Sequence, residues 1–172
     1  FKISAKKYGF EVEEIPAQEI NEINISSTKI IKALFEGDIK VAAEFLGYNY
    51  FISGTVVHGK KMGKTISFPT ANISISDADK LIPKNGVYLV SVEVEDFKGF
   101  GMMNVGTNPT TDNDRGLKLE VNIFNFDKDI YNKTIKVDFI ERLRDEKKFN
   151  SIDELINAIK NDEKFCKKIL NI

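Results

Sequence analysis

Residues 54–72 concentrate the residue types that bind phosphate. A strand-like stretch leads into a loop that holds Gly59, Gly63 and lysines at positions 60, 61 and 64. Glycines let backbone N–H groups approach a phosphate, and lysines neutralise its charge. Taken alone, the loop is better explained as an ordinary glycine hairpin with solvated lysines, because no Walker-type Gly-Lys-Ser/Thr sequence enters a helix here.

The four residues at 69–72, Pro-Thr-Ala-Asn, favour phosphate chemistry more strongly. Thr70 and Asn72 stand two residues apart on an extended segment, so their side chains point to the same side. A hydroxyl and an amide oxygen together can offer Mg²⁺ two hard, neutral ligands. Such ligands suit a metal ion that takes its negative charge from ATP.

A strand-like run at residues 117–126 contains a candidate general base. Its apolar face, which we assign to the core, consists of Leu119, Val121 and Ile123. Glu120 then lies on the opposite face with Lys118 and Asn122, since side chains alternate along a strand. A carboxylate at this place could accept the proton of an attacking hydroxyl group. An exposed strand glutamate without a catalytic role is the commoner case, so position alone proves little.

Two further loops carry polar groups. Residues 104–110 combine amides and hydroxyls with a fixed proline turn. Residues 141–149 form a charged loop that leads into the last helix. By themselves, the first loop is explained as a turn chosen for its backbone shape and the second as a solvated charged surface.

The elements that must position these residues are mainly β-strands. Five β-like runs, broken by Gly, Pro and Asn, lie at Tyr50–His58, Gly86–Glu95, Gly99–Val105, Leu117–Phe126 and Thr134–Arg142. No crossover helix separates these runs, which argues against a parallel sheet. Their spacing favours a Greek-key barrel or sandwich.

Two short amphipathic helices are predicted before the β-region. A hydroxyl at residues 26–28 can cap the first, which ends at Gly37. Asp38 can cap the second, which ends at Gly47. Further upstream, residues 10–15 alternate like a strand but have no obvious partner, so we interpret them as the end of a domain whose beginning is missing.

The last segment is predicted to be a helix that packs against the barrel. Ser151 and Glu154 form a capping box at its start. One apolar stripe runs along it, formed by Ile152, Leu155, Ile156, Ile159, Cys166, Ile169 and Leu170. We interpret Cys166 as a small core residue rather than a redox group.

The composition limits the classes of function. The chain has 172 residues, enough for one main domain, with 25 Lys and Arg against 26 Asp and Glu. This balance argues against a nucleic-acid binder, and no apolar run approaches the roughly 18 residues of a membrane span. The sequence has no secretory leader, so we expect a cytoplasmic protein. One cysteine and one histidine exclude an internal disulfide and a structural zinc site, so any metal should be oxygen-ligated.

The order of the motifs strongly resembles the riboflavin kinase family. The motifs are Val-Val-His-Gly at 56–59, Phe-Pro-Thr-Ala-Asn at 68–72, Gly-Val-Tyr at 86–88, Asn-x-Gly-x-x-Pro-Thr at 104–110, Leu-Glu at 119–120 and Leu-Arg-x-Glu-x-x-Phe at 143–149. The resemblance covers about residues 49–170. It implies a mainly β fold, a six-stranded Greek-key barrel with a C-terminal helix, preceded by a short, mostly helical segment.

The resemblance also implies an activity and a site. The family transfers the γ-phosphate of ATP to the ribityl 5′-hydroxyl of riboflavin, giving FMN and ADP, with Mg²⁺ accompanying ATP. Glu120 would be the general base, and Thr70 and Asn72 would bind Mg²⁺-ATP. The other nucleotide-binding residues would be Gly59, Lys61, Gly63 and Lys64. The flavin-binding residues would be Asn104, Thr107, Arg144, Glu146 and Phe149.

Two residues depart from the family pattern without removing the catalytic assignment. Ser67 stands where a third glycine is usual before Phe-Pro-Thr. Asn122 replaces a histidine that is frequent two residues after the glutamate. The first change could stiffen the loop or alter nucleotide affinity.

Residues 1–48 resemble the tail of the FMN adenylyltransferase domain that precedes the kinase in bacterial bifunctional FAD synthetases. The Ile-Ser-Ser-Thr run at 25–28 resembles the end of that domain's nucleotide site, although Ile31 replaces a basic residue. The chain starts at Phe1 and has one histidine, whereas the adenylyltransferase uses a His-x-x-His pair. We therefore expect a kinase domain at 49–172 and a remnant of the adenylyltransferase domain at 1–48. The rest of that domain would be the partner of the kinase in the full-length protein. We expect no adenylyltransferase activity in this chain.

Two other classes of function fit a small barrel. One is a noncatalytic flavin- or nucleotide-binding module, which the presence of Thr70, Asn72 and Glu120 disfavours. The other is an OB-like nucleic-acid barrel, which the balanced charge and the lack of an aromatic and basic strand face make a poor match.

Overall fold

The computed structural model describes residues 26–59, 66–107 and 116–172, together with the backbone of residues 19–20 and 23–24. Two two-residue strands, β1 (Glu19–Ile20) and β2 (Ile23–Asn24), pair antiparallel with each other. The helices α1 (Ser27–Glu36) and α2 (Ile39–Leu46) follow. The strand predicted at residues 10–15 lies outside the described residues.

Six antiparallel strands then close into a barrel, which confirms the predicted fold. They are β3 (Phe51–Val57), β4 (Ala71–Ser74), β5 (Gly86–Val94), β6 (Phe97–Thr107), β7 (Leu117–Ile123) and β8 (Thr134–Arg144), and their order around the barrel is β3-β4-β7-β6-β5-β8. The hairpin-connected strands β5, β6 and β7 lie side by side, and β8 returns beside β5, which is the Greek-key arrangement. Strand β4 was not among the five predicted runs. It begins within residues 69–72, which the sequence analysis treated as an extended segment without assigning a strand.

Strand β7 has the predicted alternation. Leu119, Val121 and Ile123 are all buried, so Glu120 projects from the outer face of the barrel wall. The strand ends at Ile123 rather than at residue 126, because the next two residues form a turn in which Asn125 has a φ of 53°. The barrel interior includes Tyr88 and Phe139, whose rings meet edge to face at 5.1 Å.

The helices α1 and α2 begin and end at the predicted residues. The side chains of Ser26 and Asp38 accept hydrogen bonds from backbone N–H groups of the first turns of α1 and α2, respectively. Gly37 and Gly47 end the helices with φ values of 81° and 77°, which favour glycine. The buried side chains of the two helices, among them Leu34, belong to the same hydrophobic cluster as the barrel interior. The helices α1 and α2 therefore cover one side of the barrel core.

The C-terminal helix α3 (Ile152–Leu170) starts at the predicted capping box. Ser151 Oγ accepts from the N–H of Glu154, while the Glu154 carboxylate accepts from the N–H of Asn150 instead of from the capping residue itself. The predicted stripe is wrong at its first member, because Ile152 is 64% exposed at the end of the helix. No helix in the described part of the chain is long and apolar enough to cross a membrane.

Cys166 is a core residue, as predicted. It is fully buried on α3 in a small cluster with Leu89, Met102 and Phe124, and burial raises the pKa of its thiol from 9.0 to about 12. We expect a thiol reagent at neutral pH to label the folded protein at least about a hundredfold more slowly than the urea-unfolded protein, because the thiolate is the reactive form. Equal labelling rates before and after unfolding would contradict this placement.

Candidate active site

Three predicted site residues lie in one row across three neighbouring strands. Glu120 on β7 is the register partner of Asn72 on β4 and of Asn104 on β6. Because Glu120 lies on the outer face of the wall, its directly opposed partners lie on that face too. The row continues through Val87 on β5 to Arg144 at the end of β8. The barrel register thus brings together residues that are up to 72 positions apart in the sequence.

The row forms the floor of a cavity of about 920 Å³ between the barrel wall and α3. On the β4 side of Glu120, the cavity is lined by His58, Gly59, Phe68, Thr70 and Asn72. On the β8 side, it is lined by Arg144, Glu146, Phe149 and the helix residues Leu155, Ile159 and Asp162. Residues of β4 and the segment before it, and residues of β8 and α3, therefore lie on opposite sides of one carboxylate.

Glu120 is held by a neighbouring cation. Lys118, two residues earlier on the same strand face, places its Nζ 3.2 Å from Glu120 Oε2. The Glu120 side chain is 22% exposed, so the carboxylate reaches the cavity while its backbone is fixed in the sheet. This combination suits a group that must accept a proton at a defined place.

Gly59, Thr70 and Asn72 line the same part of the cavity. A Cβ atom at Gly59 would collide with the amide group of Asn72, so a larger residue at this position would require the Asn72 side chain to move. A hydroxyl and an amide oxygen fit Mg²⁺ as hard donors, yet two neutral ligands do not bind it alone. In the described ranges no cluster of three or more His, Cys, Asp or Glu could hold a metal.

Part of the predicted phosphate loop is outside the described residues, including Lys61, Gly63 and Lys64. Where the description resumes, Ser67 has a φ of 63°. This left-handed conformation favours glycine, the residue that the resemblance places here. Serine thus occupies a glycine conformation directly before residues 68–72.

The β8 side of the cavity is held together by polar contacts. Asn104 Nδ2 donates to Glu146 Oε1 at 3.3 Å, and Glu146 lies against Gly106, where a Cβ atom would collide with the carboxylate. Thr107 is exposed at the end of β6 and also lines the cavity. Phe149 lies beneath the guanidinium group of Arg144. All five residues predicted for this side therefore line one region.

The sequence reasoning missed Asp162, the partner of Arg144. Arg144 Nε and Nη2 donate to the Asp162 carboxylate at distances between 2.8 and 3.1 Å, which fixes β8 to α3. The signal was present in the sequence: Asp162 lies at helical spacing from Leu155, Ile159 and Cys166, so it is an acidic residue within the apolar stripe.

Removal of the Asp162 charge should loosen α3. Both side chains of the Arg144–Asp162 pair are less than a third exposed. We expect Asp162→Asn to lower the free energy of unfolding by about 1–2 kcal/mol, between the values of surface and buried pairs. Urea denaturation measures this, with Glu163→Gln as control, because the Glu163 ion pair in the described part of the chain is with Lys167 of the same helix. Equal losses of unfolding free energy in the two variants would contradict a stabilising role of the Arg144–Asp162 pair.

Several known proteins are similar to this chain. The family described as Flavokinase, riboflavin kinase, matches residues 46–170. The bifunctional riboflavin kinase/FMN adenylyltransferase of Listeria monocytogenes is 42% identical over 154 residues, covering 90% of this chain and 49% of that protein. The protein of the same name from Escherichia coli K12 is 37% identical over 158 residues, covering 91% and 50%. The chain thus spans about half the length of the curated relatives it matches.

Solved structures are similar as well. The riboflavin kinase from Trypanosoma brucei has a TM-score of 0.50 and 26% identity, covering 70% of this chain and 79% of that one. A protein from Streptococcus pneumoniae described as a macrolide-efflux protein has a TM-score of 0.85 and 40% identity, covering 96% of this chain and 54% of that one. The barrel and its helices therefore occur in at least one larger protein.

Proposed function

We propose, since this chain belongs to the riboflavin kinase family, that it transfers the γ-phosphate of ATP to the ribityl 5′-hydroxyl of riboflavin, giving FMN and ADP. The observation that carries the proposal is the direct pairing of Asn72 with Glu120 on the floor of the cavity. In this proposal Asn72 binds the nucleotide and Glu120 accepts the proton, and their direct pairing on adjacent strands supports transfer to a hydroxyl.

Glu120 is the general base of this proposal. Its carboxylate accepts the proton of the ribityl hydroxyl while that oxygen forms a bond to the γ-phosphorus, and the bond from the γ-phosphorus to the bridging oxygen breaks, releasing ADP. Lys118 fixes one carboxylate oxygen, which orients the other. Little covalent chemistry is needed from the protein, because phosphoryl transfer depends mainly on alignment and charge neutralisation.

Thr70 and Asn72 are proposed to hold Mg²⁺-ATP on the β4 side, together with the glycines and lysines of the loop at 59–64. Mg²⁺, when bound, neutralises charge on the transferring phosphate. The close approach of Gly59 to the Asn72 side chain supports a role of both residues at one nucleotide site. The two side chains supply hard oxygen atoms and leave the negative charge to the nucleotide.

The flavin is proposed to lie on the β8 side. There the cavity offers the ring of Phe149 and the aliphatic side chains of Leu155 and Ile159, which suit a flat apolar ring system. Asn104, Thr107 and Glu146 supply polar groups around it. Arg144 is already engaged by Asp162, so its contribution to flavin binding would come mainly from placing Phe149 and α3.

The relatives are named for two activities, riboflavin kinase and FMN adenylyltransferase, and we propose only the first for this chain. The chain covers about half of their length, so we propose that FMN adenylyltransferase activity belongs to the part not covered here and that its domain is the kinase's partner in a longer protein. Cytoplasmic location is part of the proposal, because the reaction consumes ATP.

Incubation of the chain with riboflavin, Mg²⁺ and ATP, followed by separation of riboflavin, FMN and FAD, tests the function. We expect FMN to form without FAD, and ADP to form only when riboflavin is present. Flavin or nucleotide binding without any FMN would instead identify a noncatalytic binding module. Omission of Mg²⁺ is the control for the metal requirement.

A further inference from the structure

Asn122 joins β7 to the segment that precedes β4. Its Nδ2 atom donates to the carbonyl oxygen of Pro69 at 2.7 Å. A carbonyl oxygen can only accept, so the amide nitrogen and not the amide oxygen must face it. Asn122 lines the same cavity as Glu120 and lies two residues after it on the same strand face.

This hydrogen bond extends the attachment between β4 and β7 beyond the strand itself. The paired residues of β4 in this ladder are Ala71 and Asn72. Pro69 has no backbone N–H, so its carbonyl is its only main-chain hydrogen-bonding group. With that carbonyl bound by Asn122, the backbone on both sides of Thr70 is tied to β7.

We propose that Asn122 is a positioning residue for the nucleotide, which deepens the function proposed above and rests on it. By fixing the chain before Thr70, it keeps the Thr70 hydroxyl and the Asn72 amide at their spacing before Mg²⁺-ATP binds. The same strand carries Glu120, so one rigid element sets both the metal-binding segment and the proton acceptor. An imidazole N–H can donate the same kind of bond, so histidine is a replacement that keeps a donor at this position.

Asn122→Leu tests the proposal, because leucine has a similar size and no donor. We expect the KM for Mg²⁺-ATP to rise about three- to tenfold, the range of one lost hydrogen bond, since the segment must then be ordered when the nucleotide binds. The kcat and the KM for riboflavin should stay within about twofold, because a contact that acts equally on ground and transition states changes KM alone. Thermal denaturation should show a midpoint lowered by no more than about 5 °C, the effect of one lost hydrogen bond.

Two further variants separate positioning from general damage. Asn122→His restores a donor and should bring the KM for Mg²⁺-ATP back to within about twofold of the original protein. Asn157→Leu makes the same chemical change at an exposed position of α3 outside the cavity and should leave both KM values unaltered. A histidine variant as impaired as the leucine variant would overturn the proposal, as would parallel rises in both KM values.

Calorimetric titration with Mg²⁺-ADP distinguishes failure of this inference from failure of the proposed function. If the original protein forms no FMN, the proposed function fails, while a three- to tenfold weaker Mg²⁺-ADP affinity of Asn122→Leu still supports the positioning role, by the same estimate of about one hydrogen bond. If the affinity is equal in the two proteins, or if neither binds Mg²⁺-ADP, the positioning role is refuted. If the original protein forms FMN but both proteins bind Mg²⁺-ADP equally well, the positioning role is refuted and the proposed function stands.

Discussion

Glu120→Gln is expected to lower kcat for FMN formation by about 10²–10⁴-fold, the usual contribution of a general base. Glutamine has nearly the same shape but cannot accept the proton of the attacking hydroxyl. The register of β7 between β4 and β6 does not depend on the carboxylate, so the floor of the cavity should persist. Both substrates should therefore still bind, and the loss should appear in kcat with little change in either KM.

Single-turnover measurement of FMN, with binding of riboflavin followed by its fluorescence, checks this expectation. Glu93→Gln is a matched control, because Glu93 is also a strand glutamate with a lysine partner, Lys98, but does not line the cavity. It should keep its kcat to within about twofold, as surface substitutions usually have small effects. Near-normal turnover of Glu120→Gln would remove Glu120 from the mechanism.

Leu34→Ala is expected to be the most destabilising of the substitutions considered, costing about 2–5 kcal/mol of unfolding free energy. Leu34 on α1 is fully buried in the cluster that also contains the barrel interior, so its loss leaves a cavity there. No residue described in α1 or α2 lines the active-site cavity. Kinetic constants of the variant should therefore match those of the original protein at temperatures where it stays folded.

Phe35→Ala on the same helix is the control. Phe35 is 56% exposed, so its truncation should cost less than about 1 kcal/mol although more atoms are removed. Urea denaturation of both variants gives the comparison. Equal losses would mean that α1 does not share the barrel core, and a shifted KM in Leu34→Ala would show coupling between the helix pair and the site.

Local sequence signals predicted much of this molecule. Helix caps such as Ser26 and Ser151 depend on a side chain and the backbone three residues away, and such short-range signals are visible in one sequence. The alternation of β7 likewise placed Glu120 on the outer face before any partner strand was known. The resemblance to known kinases supplied the substrates, which no periodicity could supply.

What could not be predicted depends on pairing between distant segments. Strand β4 has only four residues and no alternation of its own, so its existence depends on β3 and β7. The pairing of β5 with β8 shifts register between Val87, opposite Arg144, and Tyr88, opposite Arg142. Because of this bulge, the side chains of Arg142 and Arg144 contact different partners. Arg142 donates to the Asn85 carbonyl, and Arg144 reaches Asp162 on α3. No sequence spacing reveals such a bulge.

The row formed by Asn72, Glu120 and Asn104 limits where residues can be deleted from or inserted into the chain. Deletion of one codon within β7 would exchange its two faces, so the carboxylate would enter the apolar interior and a leucine or valine would face the substrates. Insertions between β7 and β8, in the exposed part of the connection at residues 127–129, would leave the row intact. Natural length variation among active relatives should therefore be confined to the connections, while the three strands keep their lengths.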